Sequence, residues 1–354
     1  MNEMLLEKAI IDGQSSIISA VKKLNENGLQ FLMVADENGV LIGTVTDGDV
    51  RRGLLRNISL NEPVSSVMNT NPKWVYIGEV QKAHELMLLH RIRVMPVLNR
   101  EHKIVDFIRL DAFAEKRFLY APKNNQVLIM AGGKGTRLDP FTKILPKPLI
   151  PVGDTPIIEV IMKKFQHYGF NDFIISLNYK AELIKLYFAE NPDGYNISYT
   201  MEKEALGTAG AIRLAKDRLD KTFIVSNCDV IVDVDFEEML HYHQGQRNHA
   251  TIVGVVKNIQ VPYGVIRAKD GDLVEMVEKP EYNVVINSGV YVLEPDLIDL
   301  IPANKMINMP DLLLQAKEEG FKVGVFPVST EWFDVGQWEE YKRTLDYFKN
   351  VEGM

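Results

Sequence analysis

A chain of 354 residues with 46% hydrophobic and 25% charged residues holds enough apolar material for two packed domains, which excludes disorder and stapled mini-proteins. The single cysteine, Cys228, excludes a disulfide framework and an intrachain thiolate cluster, and no apolar run reaches the 18 residues of a membrane span. Net charge is −8, which argues against nucleic-acid binding through a basic face.

That charge is unevenly spread. Residues 1–121 carry 15 basic and 15 acidic side chains, leaving 25 of the 40 basic and 33 of the 48 acidic ones to the remainder. An acidic body that handles anions needs locally placed cations and a metal ion. The N-terminal MNEMLLEKAI has no basic n-region, apolar h-region or cleavage site, so the expected location is the cytoplasm.

The first 120 residues contain a weak repeat of about 62 residues, with copies near 1–60 and 61–120. In the first, Ile17, Ile18, Val21 and Leu24 recur at helical spacing, then come Phe31–Val34, a turn at Asp36–Gly39 and Val40–Val45. In the second, Ala83, Leu86 and Met87 precede Val94–Leu98 and Ile104–Ile108. Each copy reads as helix, strand, turn, strand, helix, and the two should pack together because neither buries both its faces alone. Residues 121–125 read as a linker, extending back to Leu119, because Pro122 and the asparagines continue neither element.

From Gln126 the pattern changes to alternating strands and helices. Val127–Met130 is a buried-strand run; helical spacing covers Pro156–Tyr168, Ala181–Phe188 and Gly207–Leu219; strands are predicted at Phe173–Leu177, Ile197–Met201 and Phe223–Ser226. Repeated βα units predict an α/β domain with a mainly parallel sheet, whose ligands bind beyond the carboxyl ends of the strands.

A glycine loop, Ala131-Gly132-Gly133-Lys134-Gly135-Thr136-Arg137-Leu138, follows the first of those strands. Glycines there let backbone N–H groups approach a phosphate, yet the spacing is neither a P-loop nor a dinucleotide fingerprint. Pro146 and Pro148 flank Lys147, which predicts a stiff, extended backbone carrying an ammonium. In isolation, Asp229 at a strand end reads as a helix cap sooner than a metal ligand, Glu278-Lys279 as a solvated charge pair, and Asp334 simply as a cap for a helix near Gln337. His241 and His243 read as surface residues, because i and i+2 on a helix do not share a face. Cys228 reads as a small buried residue.

Together, A-G-G-x-G-T-R-L-x-P-x-T-x-x-x-P-K-P and the motifs after it resemble sugar-1-phosphate nucleotidyltransferases over residues 126–354. The further motifs are Leu206-Gly207-Thr208-Ala209-Gly210, Asn227-Cys228-Asp229, Tyr263-Gly264-Val265-Ile266, Glu278-Lys279-Pro280, Asn287-Ser288-Gly289 and Trp332-Phe333-Asp334-Val335-Gly336. The resemblance implies a Rossmann-like mixed sheet and attack of a sugar-1-phosphate oxygen on the α-phosphorus of an NTP. It places Gly132, Gly133, Gly135 and Thr136 on the nucleotide phosphates, Arg137 and Lys147 on transferring charge, and Gly207 and Thr208 by the base. It also places Gly264, Glu278, Lys279 and Asn287 on the sugar phosphate, and Mg²⁺ on Asp229 and Asp334. Glu202 lies where relatives using thymidine or uridine nucleotides place a base-reading amide; its acceptor-only carboxylate suits the donor edge of guanine, the alternative being a strand-end charge facing water.

Gly43-Thr44-Val45-Thr46-Asp47-Gly48-Asp49 resembles the nucleotide-binding segment of a CBS domain, which implies that Thr46 and Asp49 contact an adenine or guanine nucleotide. The second copy has Val105 and Ile108 in place of the glycine and threonine but keeps Asp111. A packing or dimerisation module is the other reading, and a homo-oligomer is expected. A tandem CBS α+β pair before a transferase domain resembles the glucosamine-1-phosphate guanylyltransferases of legionaminic acid synthesis, with mannose-1-phosphate guanylyltransferases as near relatives. Uridylyl- or cytidylyltransferases and a non-catalytic regulatory subunit remain alternatives, as does a glycosyltransferase using Asp233-Val234-Asp235.

Overall fold

The computed structural model describes residues 3–90, 92–110, 120–190 and 194–352. Contacts group the chain into two units. Met1–Arg117, Val255–Ile286 and Pro327–Thr330 form the first, and Phe118–Gly254, Asn287–Phe326 and Glu331–Met354 the second.

The first unit opens with α1 (Glu3–Lys8), β1 (Ile10–Asp12), α2 (Ile17–Asn27), β2 (Phe31–Ala35), β3 (Leu41–Thr46) and α3 (Asp47–Leu55). The second copy gives β4 (Val75–Tyr76), α4 (Val80–His90), β5 (Val94–Leu98) and β6 (Ile104–Arg109). Ser16 starts α2 by accepting from Ser19 N at 3.3 Å, and Gly28 ends it in the left-handed region. Both copies form three-stranded sheets with the same topology, a parallel pair followed by an antiparallel one. The described strands of the two copies thus follow one order, each preceded by a leading strand that at three and two residues is too short to show a period. Phe31 and Met33 pack with Val94 and Phe107, joining the copies through one core. Asp111 and the second copy's closing helix fall outside the described residues.

The second unit holds β7 (Val127–Met130), α5 (Phe141–Ile144), β8 (Pro151–Val152), β9 (Thr155–Pro156), α6 (Ile157–His167), β10 (Asp172–Leu177), α7 (Ala181–Glu190) and β11 (Asn196–Met201). It continues with α8 (Gly207–Gly210), β12 (Phe223–Asn227), β13 (Val230–Val232), α9 (Phe236–Gln246) and β14 (Ala250–Gln260). The hairpin of β15 (Val265–Lys269) and β16 (Asp272–Val277), with β14 from Val255 and β17 (Glu281–Leu293) up to Ile286, groups with the first unit. The rest of β17, α10 (Met309–Glu318), β18 (Val323–Val328) up to Phe326, β19 (Trp332–Asp334) and α11 (Trp338–Glu352) belong to the second. The helix expected over Gly207–Leu219 is α-helical only to Gly210 and continues as a 3₁₀ helix to Arg218.

Seven strands form one sheet in the order β11-β10-β7-β12-β17-β14-β18. β11, β10, β7 and β12 are parallel and β17 is antiparallel to β12, so the sheet is mixed. Leu128, Ile174, Val225 and Tyr291 face a core closed by Ile212, Leu297 and Leu312. Register aligns Met130 with Ser176 and Asn227, and Leu177 with Met201. The loops beginning at Ala131, Asn178, Glu202 and Cys228 therefore leave the sheet side by side, at its carboxyl edge.

Two expectations change here. Residues 120–125 are anchored: Tyr120 stacks on Tyr168 at 4.6 Å, Lys123 N donates to Gly169 O at 2.9 Å, and Asn125 Nδ2 donates to Thr222 O at 2.7 Å. His243, read as a surface residue, is 1% exposed, with Nδ1 at 2.8 Å from Thr251 Oγ1 and Nε2 at 3.0 Å from Glu294 Oε1. His241 does face solvent, as the i, i+2 spacing requires.

Candidate active site

The glycine loop gives each of its glycines a different task. Gly135 lies in the left-handed region at φ 67°, where a Cβ would meet Lys147 Cβ and Thr142 Cγ2, each at 2.9 Å. A Cβ on Gly132 would lie 2.5 Å from Glu202 Oε1, whereas Gly133 faces open space. Thr136 opens a 3₁₀ turn to Leu138, with Arg137 exposed upon it. Thr142 Oγ1 fastens the loop from behind, 2.6 Å from Asp139 Oδ1 and 3.1 Å from Gly135 O. Pro146 is extended at φ −64°, ψ 145°, but Lys147 is not: it starts a 3₁₀ turn to Leu149, which turns its side chain inward to 13% exposure.

Asp229 follows β12, and β13 leads directly away from it. β13 pairs antiparallel with β19, setting Val230 opposite Asp334, and Val335 N donates to Asp229 O at 2.9 Å. That short ladder brings together two carboxylates 105 positions apart in the chain. The Lys147 ammonium rests on Asp229 Oδ2. The three groups meet at Gly336, where a Cβ would lie 2.7 Å from Lys147 Nζ, 2.8 Å from Asp334 Oδ1 and 3.1 Å from Asp229 Oδ2. Gly336 N also donates to Asp334 Oδ1 at 3.0 Å, so this carboxylate turns back into the junction before α11 begins. In the sequence, Gly336 stands in a motif whose spacing assigns the glycine no role of its own.

The donor set fits a hard divalent cation. Two carboxylates converge on one point, and magnesium-type sites use one or two carboxylates with water and substrate phosphate as the other ligands. Among the described residues no group of three or more His, Cys, Asp and Glu side chains gathers, so phosphate would complete the shell. Cys228, beside Asp229, is buried; burial first, and the Asp229 charge second, push its thiol up to about 12 against a smaller opposing effect of Lys147. It is no nucleophile.

Glu202 follows β11 and folds over the glycine loop rather than out to water. Ser176 Oγ donates to Oε1 at 3.2 Å, Leu206 N donates to Oε2 at 3.0 Å, and Asn178 Nδ2 donates to its backbone O at 3.2 Å. Each carboxylate oxygen keeps a lone pair for a further donor. Ser176, fully buried in the apolar run of β10, was the one sequence signal for this support.

Gly207 has φ 79°, and a Cβ there would lie 2.5 Å from Ile307 O. Thr208 Oγ1 accepts from Met309 N at 2.8 Å, so the hydroxyl first serves as a cap for α10. Asn287 donates to Tyr291 Oη at 2.8 Å and accepts from Gly289 N at 3.0 Å. A Cβ on Gly289 would lie 2.6 Å from Asn227 Nδ2, so this turn closes against the strand end that carries Asp229.

Gly264, Glu278 and Lys279 group with the first unit instead. There Glu278 Oε2 lies 2.8 Å from the position a Gly264 Cβ would take, and Lys279 N donates to Tyr263 O at 3.2 Å. In the same unit Asp49 Oδ2 accepts from Thr46 N at 2.9 Å and Oγ1 at 2.7 Å, and Oδ1 accepts from Arg52 at 2.6 Å. The alternative motif is spent elsewhere: Asp235 caps α9 through Glu238 N at 2.9 Å, and Asp233 pairs with Lys164 at 3.4 Å.

Two family models match the chain. Residues 126–349 match the family model described as nucleotidyl transferase, and residues 7–56 match that of the CBS domain. A mannose-1-phosphate guanyltransferase of Yarrowia lipolytica is 38% identical over 229 residues, covering 60% of this chain and 61% of that one. A UTP–glucose-1-phosphate uridylyltransferase of Synechocystis is 30% identical over 250 residues, covering 65% and 63%. The chain thus spans about three fifths of the length of these relatives. Among solved structures, HddC from Yersinia pseudotuberculosis is 27% identical with a TM-score of 0.52, covering 63% of this chain and 99% of that one. A second HddC structure, complexed with GMP-PN, gives 28% and 0.51 over 63% and 99%.

Proposed function

The chain belongs to the nucleotidyl transferase family, and we propose that it transfers a nucleotidyl group from an NTP to a hexose-1-phosphate, releasing pyrophosphate. The observation that carries the proposal is the convergence of Lys147, Asp229 and Asp334 on Gly336 beyond the parallel strand ends. The nucleophile is a phosphate oxygen that is already an anion, so no general base is needed. Positioning and charge neutralisation are the work left to the protein. Lys147 would hold the α-phosphate and the charge that builds on it. The open amides around Gly133, with Thr136 and Arg137, would hold the rest of the triphosphate and the leaving pyrophosphate. Asp229 and Asp334 would hold Mg²⁺, which when bound neutralises phosphate charge.

GTP is the favoured donor in this reading. Glu202 has two oriented oxygens, able to take the N1–H and amino hydrogens of guanine but unable to donate to a uracil carbonyl. The guanyltransferase relatives and the GMP-PN complex of HddC support the same base. Glucosamine-1-phosphate is the favoured acceptor from the domain order, and Gly264, Glu278, Lys279 and Asn287 are the residues proposed to hold it. Mannose-1-phosphate is the second reading, favoured by the relatives' own substrate. Thr46 and Asp49 are proposed to take a regulatory nucleotide. NTP and sugar phosphate are cytoplasmic metabolites, which suits the cytoplasm as its place of work; no described helix is long and apolar enough to cross a membrane.

Pyrophosphate release, screened for four NTPs against several hexose-1-phosphates, tests the proposal. GTP with an amino- or manno-hexose-1-phosphate should be fastest, and silence in every pair would refute it.

A further inference from the structure

Lys147 and Asp229 lie 82 positions apart, yet the ammonium meets Asp229 Oδ2 directly, with the two side chains 13% and 20% exposed. Asp334 Oδ1 comes to the other side of the same small space, which only the absence of a side chain at Gly336 leaves open. Two carboxylates this close repel each other, and one cation at Asp229 relieves that repulsion. An ammonium and a divalent ion against one carboxylate oxygen each weaken the other's hold, because their own repulsion is strong at such range and screening by salt is weak in a half-buried site.

We propose that Lys147 is the resident counter-ion of the metal-binding carboxylates, and that nucleotide phosphate releases it. This rests on the reading of Asp229 and Asp334 as metal ligands and of Lys147 as a phosphate ligand. Phosphate oxygens are better acceptors for the ammonium than a carboxylate about to be claimed by a dication. Nucleotide binding therefore clears Asp229 for the metal, and metal binding frees Lys147 for the phosphate. The coupling is reciprocal: each ligand raises the other's affinity by the same factor. The free chain should accordingly hold a divalent ion poorly. Removing the lysine charge should improve that affinity even while it destroys turnover, a sign opposite to a simple loss of site integrity.

Mn²⁺ binding to the full chain without nucleotide, followed by electron paramagnetic resonance of the free ion, tests this. Lys147→Met should bind Mn²⁺ roughly tenfold tighter than wild type. Lys147→Arg keeps the charge and should stay as weak as wild type. Lys143→Met, with the same change in net charge on an exposed side chain, should also leave affinity unaltered. Adding Asp229→Asn to Lys147→Met should abolish the gain. Lys147→Gln repeats the test if the methionine variant has a lowered melting midpoint. Unchanged or weaker Mn²⁺ affinity in a folded, charge-neutral variant overturns the counter-ion role and leaves the transferase reading standing. That reading falls only if the wild-type chain releases no pyrophosphate.

Discussion

Lys147→Ala and Asp229→Ala each remove one half of an ion pair at the edge of a folded core, so their effects should appear in turnover before stability. A lost charge contact to phosphate in the transition state costs on the order of a hundred- to a thousandfold in kcat. Near-normal metal-dependent pyrophosphate release by either variant would remove these residues from the chemistry. Glu202→Gln replaces one acceptor oxygen with a donor and should shift the GTP:UTP preference toward UTP; an unaltered ratio would show that Glu202 does not read the base. The candidate site residues were readable because glycines, a proline-flanked lysine and strand-end aspartates stand in a fixed order. Their pairing was not. Nothing local signals that Lys147 meets Asp229, or that Gly336 must stay bare for three side chains to converge.

Among the elements, the long strands and amphipathic helices followed directly from hydrophobic period, since β7, β10 and β12 are buried on both faces. The elements after Ser226, long or short, were mostly not delimited, and the shortest gave no period to read. β1, β4, β13 and β19 have two or three residues each, and their pairing depends on partners far along the chain. β13 with β19 matters most, because it alone sets Val230 against Asp334. The polar tie behind the sheet escaped for the same reason. Glu294 accepts from His243 Nε2 and, at 2.7 Å, from Thr222 Oγ1, linking α9 to the ends of β12 and β17. Burial works against its ionised form, but the bonds from His243 and Thr222 and the nearby histidine charges outweigh it and hold the carboxyl below its ordinary range. The unfolded chain then binds its proton more readily than the folded one. The stabilisation is complete above the ordinary Glu value of 4.5 and lost as pH falls through the lower folded value. Acid titrations of the melting midpoint should show Glu294→Gln losing less stability than wild type below about pH 4. Parallel curves would deny the tie any ionic part.

At the scale of the whole molecule, two family matches on one chain join a nucleotidyl transferase domain to a CBS domain. Asp49 is 7% exposed and already satisfied by Thr46 and Arg52, so a nucleotide would have to compete for those bonds. An effector acting there can change turnover only by binding two states of the chain unequally, typically by about 1–3 kcal/mol. A homo-oligomer is the expected carrier of that difference. Calorimetry on the full chain should show an adenine or guanine nucleotide binding in addition to the one taken by the transferase site, with Asp49→Ala losing that additional binding and keeping basal turnover. Equal binding by both would put the nucleotide elsewhere.

The proposed reaction is transfer to a sugar phosphate rather than hydrolysis of a nucleotide. Phosphorus-31 magnetic resonance of the full chain with GTP, Mg²⁺ and a hexose-1-phosphate distinguishes the two. Transfer predicts matched growth of pyrophosphate and a nucleoside-diphosphate diester as the hexose-1-phosphate signal decays, all of it lost in Lys147→Ala. Release of inorganic phosphate alone, or an unchanged hexose-1-phosphate signal, would contradict the account.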